Sequence, residues 1–116
     1  MRDGDILRMR LEKNIGCRSE EYIEIHLING AATVGRVGKN GVPQADFNFD
    51  ASLSFISRKH FRIEKHGEQW QIIDIGSTNG TSLNGESLAP NMAYPLKPGD
   101  VISISCNRQY LAYRVC

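Results

Sequence analysis

Two polar clusters close together in the chain could do chemistry: Ser57-Arg58-Lys59-His60 and Gly76-Ser77-Thr78-Asn79-Gly80-Thr81. Hydroxyls, a guanidinium and a carboxamide that converge on one point can hold an anion, because each directs N–H or O–H donors and the guanidinium adds a full charge. Arg36, well upstream and next to Gly35, is a second guanidinium able to give two bonds to a phosphate or carboxylate. The chemistry these residues suggest is phosphate reading, not catalysis.

Taken singly, each residue also has a plain structural explanation. Arg36 suits a surface ion pair, Ser57 a turn that bonds its own backbone, and Asn79 before Gly80 a tight turn. Asn84-Gly85 reads as a hairpin turn, and Thr81 as a tie between loop and strand. Only one of Arg58 and Lys59 can point with Ser57 if side chains alternate along the chain. Ser57 and His60 suggest a nucleophile and base, but there is no G-x-S-x-G elbow and no acid partner in register. His60 is therefore expected to be buried, bonding loop backbone. His26 and His66 lack metal-ligand spacing and read as exposed strand and turn residues. The glycine run from Gly35 to Gly41 lacks the G-K-[ST] ending of a nucleotide loop. Trp70, on one face with Ile72, reads as core.

Composition narrows the partners. Lys and Arg number 14 against 13 Asp and Glu, a net charge of +1, so bulk attraction to nucleic acid or anionic lipid is not expected. Any anion must be held by a local site. Cys17, Cys106 and Cys116 are odd in number with no C-x-x-C spacing, which argues against a zinc site and a disulfide framework and for reduced thiols. No cofactor and no metal is expected. No apolar run approaches the ~20 residues of a membrane-spanning helix, and Met1 to Asp5 is charged without an apolar stretch behind it, unlike a signal peptide. A cytoplasmic protein is expected, or a nuclear one in a eukaryote. Cys116 directly follows a strand-like segment, as in a piece excised from a longer protein.

The elements that must position the clusters are strands. Residues 1–116 make one domain, long enough to bury roughly two thirds of its unfolded surface. Period-two alternation of apolar residues runs through Ile6 to Lys13, Tyr22 to Ile28, Asp46 to Phe49, His60 to Lys65, Trp70 to Ile75, Val101 to Ser105 and Gln109 to Val115. Shorter strands are expected at Ala31 to Gly35, Thr81 to Leu83 and Met92 to Leu96. Asn29-Gly30 predicts a hairpin in which Ala31 to Gly35 returns beside Tyr22 to Ile28. Asn84-Gly85, Lys97-Pro98-Gly99-Asp100 and Cys106-Asn107-Arg108 predict further turns. No ten-residue window has helical period. The fold class is all-β: a sandwich, whose end loops are the natural place for binding groups.

Gly35-Arg36, Ser57-Arg58-x-His60, Asp74-x-Gly76-Ser77-x-Asn79-Gly80-Thr81 and Asn84-Gly85, in this order, resemble the forkhead-associated (FHA) domain family, and the strand pattern fits from about Ile6 to Val115. The resemblance implies a sandwich of two twisted antiparallel sheets, about eleven short strands, that binds phosphothreonine peptides through loops at one end. It implies phosphate contacts from Arg36 and Ser57, help from Arg58, and phosphate and peptide-backbone contacts from Thr78 and Asn79. Gly35, His60, Gly80 and Thr81 would be architectural. The implied partner is a phosphothreonine-containing protein marked by an upstream Ser/Thr kinase, and the implied role is binding in kinase signalling, not catalysis. The Val37 to Ala45 loop is less typical of the family. The alternatives are a phosphate-independent assembly module that uses a sheet face, and a small hydrolase built on Ser57 and His60.

Overall fold

A computed structural model describes residues 5–116. Most of the charged opening segment, residues 1–4 of the expected 1–116 domain, therefore lies outside the described residues. The described chain forms eleven strands: β1 (Ile6–Ile15), β2 (Tyr22–His26), β3 (Ala31–Arg36), β4 (Phe47–Phe49), β5 (Phe61–His66), β6 (Gln69–Asp74), β7 (Ser82–Leu83), β8 (Glu86–Ser87), β9 (Ala93–Leu96), β10 (Val101–Cys106) and β11 (Gln109–Val115). They build a six-stranded sheet in the order β2-β1-β11-β10-β7-β8 and a five-stranded sheet in the order β4-β3-β5-β6-β9.

Alternation explains the packing. Every second residue of a strand faces one side, and Leu7, Met9, Ile23 and Ile25 of the larger sheet are buried with Ala32, Val34, Ile63 and Ile72 of the smaller one. Trp70 is half-buried against this core, with Lys65 Nζ 5.4 Å from its ring centre.

One sheet-level expectation is corrected. Tyr22 to Ile28 and Ala31 to Gly35 do not pair as a hairpin: β2 pairs with β1, from Ile6↔His26 to Arg10↔Tyr22, and β3 pairs with β5. The Asn29-Gly30 turn forms, with φ of 54° and 80°, but the only bridge across it joins Ile28 and Ala31. The Leu27 amide still bonds the Asp5 carbonyl on the β1 side, while Gly30 already accepts from the Lys65 amide at 2.8 Å. The turn thus carries the chain from one sheet to the other. The reason is burial: Ile23 and Ile25 can face Ala32 and Val34 across the sandwich only if the two strands lie in different sheets.

The two sheets are antiparallel as expected except at one edge, where β4 runs parallel to β3, pairing Val34↔Phe47 through Arg36↔Phe49. In addition, β1 runs two residues past the expected Lys13, since Asn14 and Ile15 pair with β11 beyond an irregularity near Leu11 and Lys13. The strands flanking Cys106-Asn107-Arg108 pair as β10 and β11 across the expected turn, and β5 and β6 pair as a second hairpin across residues 67 and 68.

Candidate functional site

Sheet order brings three connections to one end. The end of β3 lies beside the start of β5, where the His60 amide donates to the Val34 carbonyl at 2.8 Å, and the end of β6 pairs with that same start, Phe61↔Asp74. The loops spanning 37–46, 50–60 and 75–81 therefore emerge together.

His60 is fully buried and locks two of these loops. The Ser57 amide donates to His60 Nδ1 at 3.0 Å, and His60 Nε2–H donates to the Gly80 carbonyl at 2.8 Å. A carbonyl only accepts, so these partners fix the neutral ring with its proton on Nε2. Burial lowers the pKa of His60, against the opposing pull of the Gly80 carbonyl and the Asp74 charge. Its nitrogens are both occupied by backbone, so His60 has none left to act as a base for Ser57.

Asp74 organises the third loop. Its Oδ1 accepts from the Gly76 and Ser77 amides at 2.9 and 3.0 Å, and its Oδ2 accepts from the hydroxyls of Ser77 and Thr81 at 2.5 and 2.7 Å. Burial alone would raise its pKa, but these four bonds outweigh that and hold the carboxyl below its usual range. Thr81 is buried, and its carbonyl accepts from the Leu88 amide. The Asp74 role was not singled out from the sequence, although Asp followed two residues later by Gly is a signature of an Asx-turn.

On this frame the candidate binding groups are exposed or half-buried. Ser57 Oγ accepts from the Thr78 amide at 3.0 Å, which leaves its own proton free to be donated. Asn79 Nδ2 donates to the Phe55 carbonyl at 2.8 Å, tying loop 75–81 to loop 50–60. The Thr78 side chain is unbonded within the described residues.

Arg36 arrives from the end of β3. Its Nη1 donates to the Val37 carbonyl at 3.2 Å, and its Nε is buried without an acceptor. Arg58 is exposed, and its backbone presses on Gly35: a Cβ there would sit 1.8 Å from the Arg58 carbonyl oxygen. Only glycine allows this approach, which sets the Ser57-Arg58 segment against β3. The structure thus bonds Ser57 to Thr78 and ties Asn79 to the Phe55 carbonyl, while Arg36 and Arg58 join by placement and not by a side-chain bond to these residues. Among the described residues, Arg36, Arg58 and Lys59 take part in no ion pair. Arg8, Arg62, Lys65 and Arg114 are all paired with carboxylates.

Comparison with known proteins settles the family. A family model described as the FHA domain matches residues 32–105. The chain belongs to the FHA domain family. This FHA domain is 32% identical over 87 residues to protein FraH of Nostoc sp., covering 75% of the chain and 30% of FraH; it therefore spans less than a third of that relative. A solution structure of the FHA domain of an Arabidopsis thaliana hypothetical protein superposes with a TM-score of 0.71 at 31% identity, over 96% of the chain and 84% of that one. The N-terminal FHA domain from S. cerevisiae Rad53p, solved in complex with a phosphothreonine peptide, superposes with a TM-score of 0.68 over 96% and 94% of the two chains; at 23% identity this likeness is one of fold. Among the described residues no helix is long and apolar enough to cross a membrane.

Proposed function

We propose that this FHA domain is a phosphothreonine-dependent binding module that reads a peptide marked by a Ser/Thr kinase through Arg36, Ser57, Arg58, Thr78 and Asn79. The observation that carries the reading is the guanidinium of Arg36, uncommitted to any carboxylate and holding a buried Nε without an acceptor. An unmet buried donor costs on the order of 1–3 kcal/mol, a cost that an arriving anion can relieve. Phosphothreonine brings about −1.5 to −2 charges and three acceptor oxygens at neutral pH, and the loop end offers the guanidinium groups of Arg36 and Arg58 with the hydroxyls of Ser57 and Thr78. Asn79 keeps an amide proton and its carbonyl oxygen for the backbone of an extended peptide. The role is binding and not catalysis, because both nitrogens of His60 are held by backbone.

The test is a titration of wild type and Arg36→Ala with a phosphothreonine peptide and its unphosphorylated form. Hydrogen bonds to charged groups contribute about 1.5–3 kcal/mol each, so Arg36→Ala should weaken binding by roughly ten- to a few hundred-fold. Full affinity in the variant, or equal binding of the unphosphorylated peptide, sinks the proposal. An aspartate in place of phosphothreonine should bind poorly, since one planar carboxylate cannot meet the same donors.

A further inference from the structure

The two ends of the sandwich are finished differently. At the loop end, Leu53, Phe55 and Ile56 of the 50–60 loop are buried and add to the core. At the other end the seam between the sheets opens as a concavity of about 370 Å³. Strand β6 fixes the separation: Trp70 stands near its start, and Asp74, which organises the site loop, at its end. The larger sheet contributes Leu7 and Val115 to the lining, and the smaller one Trp70 and Leu96, which pair across β6 and β9. Leu7, Leu96 and Val115 are buried, with Trp70 half-buried beside them, so the floor is apolar. An apolar floor with a few polar groups at its edge is the usual form of a ligand site.

The edge of this concavity is cationic. Arg8 and Lys97 line it, both are exposed, and no acidic side chain is among the lining residues. The acids bonded to this region are already engaged. Glu24 accepts from Arg8 Nε at 3.2 Å, which leaves the two terminal guanidinium nitrogens. Asp5 pairs with Lys65 Nζ at 3.1 Å, and Asp100 accepts from the Lys97 amide at 2.8 Å and from Asn84 Nδ2 at 3.0 Å. Among the described residues the Lys97 ammonium takes part in no ion pair. Its turn is fixed to β11, because the Gly99 amide donates to the Val115 carbonyl and the Val115 amide to the Asp100 carbonyl, both at 2.8 Å. A larger concavity of about 630 Å³ has no such bias: there Arg18 shares the lining with Glu20 and Asp50.

We infer that the concavity between Trp70 and Lys97 docks a segment of a partner protein in which a large apolar side chain lies next to a carboxylate. The apolar side chain displaces water from Leu7, Leu96, Val115 and the Trp70 ring, and the carboxylate accepts from Lys97 and from the free nitrogens of Arg8. Nucleic acid does not suit this surface, since two cations around an apolar floor neutralise few phosphates. A lipid surface does not suit it either, because the apolar groups are recessed and do not project. With the concavity and the phosphate-facing loops at opposite ends, the domain can hold this segment and engage another peptide at the same time.

The test is a titration of the full chain with three capped hexapeptides of glycine and serine that carry phenylalanine followed by glutamate, glutamine or lysine. Trp70 is the only tryptophan of the chain, so its emission reports on this concavity, and amide NMR shifts of Leu7, Leu96 and Val115 locate the bound peptide. The glutamate peptide should bind about tenfold tighter than the lysine peptide, with the glutamine peptide between them; tenfold corresponds to about 1.4 kcal/mol. Lys97→Ala, a change on an exposed turn, should remove most of that preference, and Arg36→Ala at the other end should leave all three affinities unchanged. No response to any peptide up to its solubility limit overturns the inference, as does equal affinity for the glutamate and lysine peptides or a preference that survives Lys97→Ala. Binding lost in Arg36→Ala would put the peptide at the phosphate-facing loops and overturn it as well. Trp70 emission that changes on dilution of the chain alone would make a second copy the occupant, with the same result. None of these outcomes depends on whether the loops read phosphothreonine.

Discussion

The same dipeptide, Asn-Gly, serves opposite purposes at the two ends of the sandwich. At the end away from the site, Asn84 and Gly85 take φ of 52° and 85°, and the Asn84 side chain is used up nearby: Nδ2 donates to Asp100 and Oδ1 accepts from the Val101 amide. At the site end, Asn79 lies outside the positive-φ set, and Gly80 alone takes φ of 80°. Its neighbours reach across the molecule, Asn79 to the Phe55 carbonyl and the Gly80 carbonyl to His60. The first pair closes a turn, whereas the second holds separate loops in a fixed relation and leaves donors over. Charge divides in part the same way: Arg8, Arg62, Lys65 and Arg114 on strands are paired with carboxylates, while Arg36, Arg58 and Lys59 at the site end are in no ion pair among the described residues.

The strongest way to break this contrast is to disturb the packing that lets the loops approach. Gly35→Ala forces a methyl group to 1.8 Å from the Arg58 carbonyl oxygen, so the 50–60 loop must shift or β3 must yield. Overpacking of this kind costs about 3 kcal/mol; a thermal melt should show Tm lower by roughly 10 °C, and phosphopeptide binding should fall below detection. A variant that keeps wild-type Tm and affinity would show that the close approach is dispensable.

Asn84→Ala should act only at the other end. It removes two side-chain bonds and puts alanine in a left-handed conformation, together about 1–2 kcal/mol. Chemical denaturation should register that loss while phosphopeptide affinity stays unchanged. An affinity loss beyond about twofold would mean that the two ends are coupled.

The smallest and most diagnostic effect is in pH. His60 is held neutral, its pKa depressed below the ordinary 6.5 by burial, so the unfolded chain binds the extra proton first. The stability it contributes is complete above pH 6.5 and is lost as pH falls through the folded value. Protonation also turns Nδ1 into a donor facing the Ser57 N–H, which breaks the contact that shapes the site loop. Asp74, likewise depressed from its ordinary 3.8, contributes stability that is lost only in stronger acid. Tm should thus be level above neutrality and decline below about pH 6.5, and His60→Gln should flatten the upper part of that decline. An unchanged slope in His60→Gln would remove His60 as its source.

Several features were legible because they are local. The alternation of Phe61 and Ile63 marks β5, and Asn107 and Gly99 sit where turns were expected, each with positive φ. The resemblance of the polar clusters to a known family pointed to residues that do meet at one end. The exceptions are instructive. Asn29-Gly30 turned as expected without pairing its flanks, because a turn's chemistry fixes the reversal and not the sheet that the next strand joins. Asp74 entered only as part of the resemblance, with no role assigned, since its acceptor role depends on the Thr81 hydroxyl meeting it across a folded loop.

The sequence by itself determined which stretches are strands, where the chain turns, and which donors are available, because side-chain period and turn chemistry act over a few residues. Only the tertiary structure decided that the chain changes sheets at Gly30, that Arg58 packs on Gly35, and that His60 ties Ser57 to Gly80. Those are contacts between residues distant in sequence, selected by the burial of two apolar faces against each other, and no local preference encodes them.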